Sequence, residues 1–250
     1  GGTAFIRIAQ KNNPDLKPEE SDNLNMGVIW RPNNQLEIKL DYWAIDYKDV
    51  ITIESAQGKV LTNPLGDPDV KRTTGGTLVG VTTNYFNAAS VDTNGFDFEA
   101  SYMIDSSMGE LDFGLNIMHM LKYEIPAGSG SKDVVGQFNF DNFARSMPET
   151  KMVLSSILTK GNHILAGYGR FVSSYETSRP ISASAASQGF TKNIDSFFTL
   201  DLQYNYLFDL SDYDMQFTLG VKNIFDEEAP RVYDAANWSY DSKHHDPRGR

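Results

Sequence analysis

Asp97 and Glu99, two carboxylates two positions apart, are the residues in this sequence best spaced to do chemistry. On an extended strand they share one face, with Cα atoms roughly 7 Å apart. Glycoside hydrolysis uses a pair of carboxylates at about that kind of separation, one acting as acid and the other as nucleophile or base. The plainer account is that both line a wetted surface. Glu37, Lys39 and Asp41 repeat the pattern and read the same way, as charges on a hydrated wall that pair with neighbours. His244 and His245 precede Asp246 and invite a metal. Neighbours on an extended strand, however, point to opposite faces and do not readily chelate one ion. His119 and His163 stand apart, no glycine-rich phosphate loop follows a strand and opens a helix, and no G-x-S-x-G elbow is present. Neither a metal nor another cofactor is expected.

Rings offer a different chemistry. Phe138, Phe140, Phe190, Tyr233, Trp238 and Tyr240 fall in long connections, where rigid aromatic side chains stack on sugars or aromatic chelates at low entropic cost. They are the candidate ligand-binding residues. Specificity is expected chiefly in Asp226–Asp246, where Tyr233, Trp238 and Tyr240 lie near Arg231, Lys243 and Arg248. For any single ring, packing within its own loop is the competing account.

The elements that must hold these residues are strands. Helical periodicity is almost absent, while period-two alternation recurs. Phe198, Leu200, Leu202, Tyr204 and Tyr206 alternate with Thr199, Asp201, Gln203 and Asn205. Met215, Phe217, Leu219 and Val221 alternate with Gln216, Thr218, Gly220 and Lys222. The same holds for Phe96–Ile104 and Leu36–Tyr42, and weaker strands are expected over Asn23–Trp30, Leu111–Met120, Thr150–Leu158 and Ile164–Ser173. In the last two, glycine, serine and leucine occupy both faces, which leaves the register open.

The connections alternate as well. Short turns fall at Arg31–Asn34, Asp105–Gly109, Lys160–Asn162 and Asp209–Asp214, and long loops at Ser55–Thr77, Ile125–Met147, Thr177–Asn193 and Asp226–Asp246. Four tight hairpins joined by long loops place every long loop at one end of an up-and-down sheet, the asymmetry of outer-membrane barrels. The stretch Thr77–Val91 is strand-like and is expected to extend the Asn94–Ile104 strand outward. The segment Ala183–Gly189, rich in serine and alanine, is expected to be a mobile loop.

Composition narrows the classes. In 250 residues no apolar stretch approaches the roughly 18 to 20 residues of a membrane-spanning helix, and mean hydropathy is −0.40. The chain has no cysteine, which removes disulfides, thiolate metal sites and a cysteine nucleophile. A net charge of −11 argues against a nucleic-acid partner, since phosphate binding needs a basic surface. The first residues resemble no signal peptide, and both ends read as cuts rather than natural termini.

Alternation alone does not decide whether the apolar face meets lipid or a protein core. Loop-length alternation favours lipid. So does the clustering of Trp30, Trp43, Tyr47, Tyr123, Tyr175, Tyr204, Tyr206 and Phe208 near strand ends, where membrane interfaces favour amphipathic rings. A β-rich carbohydrate-active enzyme using Asp97 and Glu99, or a soluble carbohydrate-binding β-sandwich, are the alternatives.

Four motifs carry a resemblance. Asn13-Pro14-Asp15-Leu16-Lys17-Pro18-Glu19, Gly95-Phe96-Asp97 with Tyr102, Val221-Lys222-Asn223-Ile224-Phe225-Asp226 with Pro230, and Asp246-Pro247-Arg248-Gly249-Arg250 occur in the order found in TonB-dependent receptors. The chain resembles the C-terminal part of the barrel in that family. The resemblance implies an all-β, antiparallel up-and-down transmembrane barrel of 22 strands, of which residues 1–250 supply about eight, with the plug, the earlier strands and the last strand absent. It further implies a Gram-negative outer-membrane location, uptake of a scarce nutrient (siderophore, glycan, cobalamin or peptide), and a TonB complex acting through the missing plug. Enzymatic activity is not expected. On this reading Asp97, Glu99, Asp201, Gln203 and Lys222 face the lumen, while Leu200, Leu202, Phe217 and Leu219 meet outer-membrane lipid.

Overall fold

The computed structural model describes residues 6–63, 65–88, 90–127, 130–138, 146–210, 213–233, 239–246 and 248. Residues with alternating apolar side chains form the wall strands β1 (Glu20–Trp30), β2 (Leu36–Lys48), β3 (Val91–Ser106) and β4 (Gly109–Ala127). The wall continues through β5 (Thr150–Lys160), β6 (His163–Val172), β7 (Phe197–Leu210) and β8 (Tyr213–Val221). Each pairs antiparallel with the next, so the sheet is an eight-strand meander, with Gly130–Asp133 folding back on β4. The sheet is open, with β1 and β8 as its edges.

The register left open by the sequence is resolved. Leu154 opposes Gly169 and Leu158 opposes Leu165, which puts the leucines of β5 on the apolar face. Glycines on that face are roofed by their neighbours: a Cβ on Gly169 would lie 3.1 Å from the Phe198 ring. One bulge, with Leu121 of β4 left over opposite Asn94–Gly95, interrupts the β3–β4 ladder. A Cβ on Gly95 would sit 2.5 Å from the His119 carbonyl and 2.7 Å from the Trp43 ring, so only glycine fits. Gly109 (φ 130°) closes the β3–β4 hairpin in a conformation side chains avoid.

The long connections have architecture of their own. Leu78–Asn87 does not extend β3 outward. It is a separate strand, pairing in parallel with Arg7–Lys11 and antiparallel with Ile51–Ile53 and Val70–Arg72. The sequence could not reveal this, because Arg7 and Gly80 meet only through the tertiary fold. Gln137–Phe138, Ser146–Met147, Tyr175–Thr177 and Asn193–Ile194 form a second small sheet. The segment expected to be a mobile loop carries a helix, Ala183–Ser187, whose first turn is capped by the Ser182 hydroxyl.

The buried apolar clusters lie at the loop end. Val91, Ile125 and Val134 form one buried cluster and Phe138, Tyr175, Ile194 and Val232 another. Between the faces of the wall there is no core. Leu24, Met26, Leu40, Leu202, Phe217 and Leu219 lie on one face of the meander and stay 38–62% exposed. An apolar face of this extent without a covering layer is unlike that of a soluble sandwich.

The expected ring belt is partly redistributed. Trp30, Tyr204, Tyr206 and Phe208 share the apolar face near the short-turn end, with Tyr206 and Phe208 stacked at 5.9 Å. Trp43, Tyr47 and Tyr123 fall instead on the polar face by register, and Tyr175 is buried in the loop core.

Candidate functional site

The polar face gathers the charged candidates but does not focus them. Asp97 sits directly opposite Asp41 on β2 and Met118 on β4, with the Trp43 indole nearby. Glu99 opposes Lys39, whose ammonium lies 3.2 Å from Glu99 and 3.2 Å from Glu37; Glu37 in turn takes Arg31. Asp97 and Glu99 open, with Asn25, Asn116 and Lys151, onto a cleft of about 480 Å³. Glu99 is half exposed and ion-paired with Lys39.

Asp201 and Gln203 share that face four strands away, on β7, so the candidates do not form one site. Asp201 holds a turn. It pairs with Arg170 and accepts the Asn223 N–H at 2.8 Å. Asn223 is buried at φ 47°, and its side-chain amide exchanges bonds with the Glu227 backbone at 2.9 and 3.0 Å. This is the physical content of the Asn223-Ile224-Phe225-Asp226 motif: asparagine tolerates the left-handed turn that ends β8, and its side chain closes it. Gln203 donates to Asn205, which also accepts from Gln216 and Thr218. Asn205 was not singled out from the sequence, although its alternation with Asp201 and Gln203 places it there. Lys222 continues the same alternation just beyond β8.

At the loop end the rings separate into two groups. Phe138 is 5% exposed inside a core cluster, so for it local packing is the correct account. Phe190 and Tyr233 meet edge to face at 5.8 Å, and the Arg231 guanidinium lies 4.1 Å above the Phe190 ring. Arg231 also donates to the Gln188 carbonyl at 2.8 Å, joining the two loops. Tyr240 is half-buried. Phe140 and Trp238 lie outside the described residues. Arg248 is engaged by Asp246, 2.7 Å away.

Beneath those rings is a polar cluster that sequence reasoning missed. Asp241, 4% exposed, accepts from the Ser146 hydroxyl, from Tyr175 at 2.7 Å and from the Lys243 amide at 3.1 Å. Burial opposes its charge, yet those donors together hold the carboxyl below the usual range. Burial and the adjacent Asp241 push the Tyr175 hydroxyl well up. The His244 Nε2 lies 3.1 Å from the Ser146 carbonyl, whereas His245 packs between rings. The two histidines do not converge, and among the described residues no acidic or histidine group is arranged to hold a metal.

A family model for the TonB dependent receptor-like β-barrel matches residues 2–224. The chain belongs to that family. Its members are Gram-negative outer-membrane proteins, and the open sheet here is part of a TonB-dependent receptor barrel. No curated protein matches the sequence. Solved structures of similar fold include the ferric enterobactin receptor PfeA of Pseudomonas aeruginosa (17% identity, TM-score 0.58, 97% of this chain and 30% of that one). The siderophore receptor PirA of Acinetobacter baumannii is similar at 17% identity and TM-score 0.56, over 92% of this chain and 31% of that one. The FrpB iron transporter of Neisseria meningitidis is similar at 13% identity and TM-score 0.55, over 90% and 28%. The chain therefore spans less than a third of each receptor's length.

Proposed function

We propose that this chain forms part of the wall and outer loops of a TonB-coupled uptake receptor. The apolar face meets outer-membrane lipid. The polar face, with Asp97, Glu99, Asp201, Gln203 and Lys222, lines a lumen occupied by a plug through which the TonB complex acts. The loop end recognises the imported ligand. The observation that carries this reading is the uncovered apolar face on a meander whose long loops all lie at one end. Its dimensions fit a bilayer. Along β3, from Asp92 to Tyr102, the strand runs roughly 34 Å at about 3.4 Å per residue. Tilted by the roughly 40° usual in such barrels, it covers about 26 Å, close to the height of their apolar band. At the loop end of that band Lys48 and Lys122 interleave with Asp22, Asp46, Asp92 and Glu124; the Trp30 and Tyr206 rings bound the other end.

Three neighbours of similar fold are an iron transporter and two siderophore receptors, and an iron chelate is the cargo class that this likeness favours. Within this chain the Phe190–Arg231–Tyr233 group is the ligand contact best supported: rings for a planar group, with a guanidinium for negative charge.

Cysteine labelling in the full-length receptor tests the facing, because this chain brings no native cysteine. Leu219→Cys in membranes should react with a lipid-soluble maleimide and resist a charged one, and Gln203→Cys the reverse. Equal labelling of both by the charged reagent would overturn the proposal.

A further inference from the structure

His245 is 1% exposed, and neither ring nitrogen has a hydrogen-bond partner among the described residues. A neutral imidazole carries one N–H donor and one acceptor, and burying both unsatisfied is costly. The ring is held between aromatic faces, 5.2 Å from Phe197 and 5.8 Å from Tyr175. Phe197 opens β7, Tyr175 follows β6, and His245 follows the last described loop. The histidine therefore plugs the junction of its own segment with both ends of the β6–β7 connection, and Asp241 ties that connection to the β4–β5 one by accepting from Tyr175 and Ser146.

We propose that His245 is the trigger of an acid-sensitive latch that keeps the outer loops closed while neutral and releases them when protonated. An imidazolium in this position has two donors and, among the described residues, nothing to receive them. The charges that face it are few. Asp241 favours protonation, while His244, with Lys151 and Lys243 behind it, opposes it. Tyr175, pushed up by burial, stays neutral. Burial outweighs Asp241 and pushes the His245 pKa down to about 4, from an ordinary 6.5. With the loops open the ring regains its ordinary affinity for protons. Between pH 6.5 and about 4 the open state binds more protons, so the closed state loses ground as pH falls, by up to tenfold per pH unit. Above pH 6.5 the ring is neutral in both states and the latch is insensitive to pH. Asp241, whose pKa is lowered, remains charged through this window and does not produce the effect. His244, pushed down by burial first and then by Lys151, acts in the same direction and must be tested separately.

The test uses the full-length receptor in lipid nanodiscs, spin-labelled at the exposed positions Ser184 and Ser242. The distance distribution between the labels is measured from pH 7.5 to 4. A longer, broader population should grow below pH 6.5. His245→Phe, which fills the space between the Tyr175 and Phe197 rings without a titrating group, should keep the closed distance to pH 4. His244→Gln should leave most of the response in place. If His245→Phe does not assemble, as judged by heat-modifiable gel migration, His245→Gln makes the same test with a neutral polar side chain. The proposal fails if the wild type keeps one distance down to pH 4, or if the assembled His245 variant opens with the wild-type pH dependence. Neither result depends on which ligand the receptor imports.

Discussion

At the scale of single residues, the polar side chains of the wall do structural work that their chemistry conceals. Asp97 and Glu99 look like a catalytic pair in the sequence, yet one faces Asp41 and the Trp43 indole and the other is matched to Lys39. Asp201 reads in the sequence as one more lumen residue and Asn223 as part of a short string, yet together they form the turn that ends the last described strand. Asn223→Ala should destabilise the assembled barrel by about 1–3 kcal/mol, because a buried polar network loses its centre and alanine resists a positive φ. Asn223→Gly should cost less, keeping the backbone conformation while losing only the side-chain bonds. Thermal midpoints of the gel-migration shift for the two variants check this; equal losses would mean that the left-handed backbone contributes nothing. The motif was legible as a string, but its reason was not, since the partners Asp201 and Glu227 declare themselves only in three dimensions.

At the scale of elements, alternation told nearly everything about β7 and β8 and little about the loops. Leu202 and Leu219 fall on one face and Gln203 and Thr218 on the other, as the period of two requires. Arg at position 202 or 219 should therefore cost roughly 2–4 kcal/mol near the bilayer midplane, whereas Gln203→Arg should cost little. Unfolding titrations in lipid vesicles measure the difference, and equal tolerance on both faces would contradict the assigned facing. Strands β5 and β6 gave no such pattern, because Ser155 and Ser156 fall on opposite faces of β5, and on β6 Gly167 and Gly169 take apolar-face positions that Leu202 and Phe198 then cover from the next strand. The loop sheets were illegible for a different reason. Leu78–Asn87 reads as a strand in sequence, but its parallel partner lies at Arg7–Lys11, and local pattern does not encode so distant a pairing. The same distance hid the Ser146–Tyr175–Asp241 cluster, three ordinary polar residues until the fold brings them together.

At the scale of the whole molecule, the meander ends in two unpaired edges. Every residue of Glu20–Trp30 and of Tyr213–Val221 is exposed. Backbone groups along such edges have no partner, and in lipid every one of them needs one. The 250-residue chain on its own should therefore associate through its edges rather than form a discrete barrel. Light scattering in detergent should show polydisperse assemblies with no heat-modifiable band. A monodisperse, heat-modifiable monomer would show instead that this sheet closes on itself.

The one-ended placement of the long connections also bears on how such a protein changes over generations. Each loop leaves one wall strand and returns to its neighbour, so its ends are pinned by ladder hydrogen bonds whatever its length. Doubling the length of a flexible loop costs only about 0.6 kcal/mol in closure entropy. Insertions and deletions at that end leave strand register and bilayer match undisturbed, while a single-residue slip within the wall would turn every side chain to the wrong face. The wall is thus held to its pattern by geometry, and the surface that meets the outside world is left open to variation.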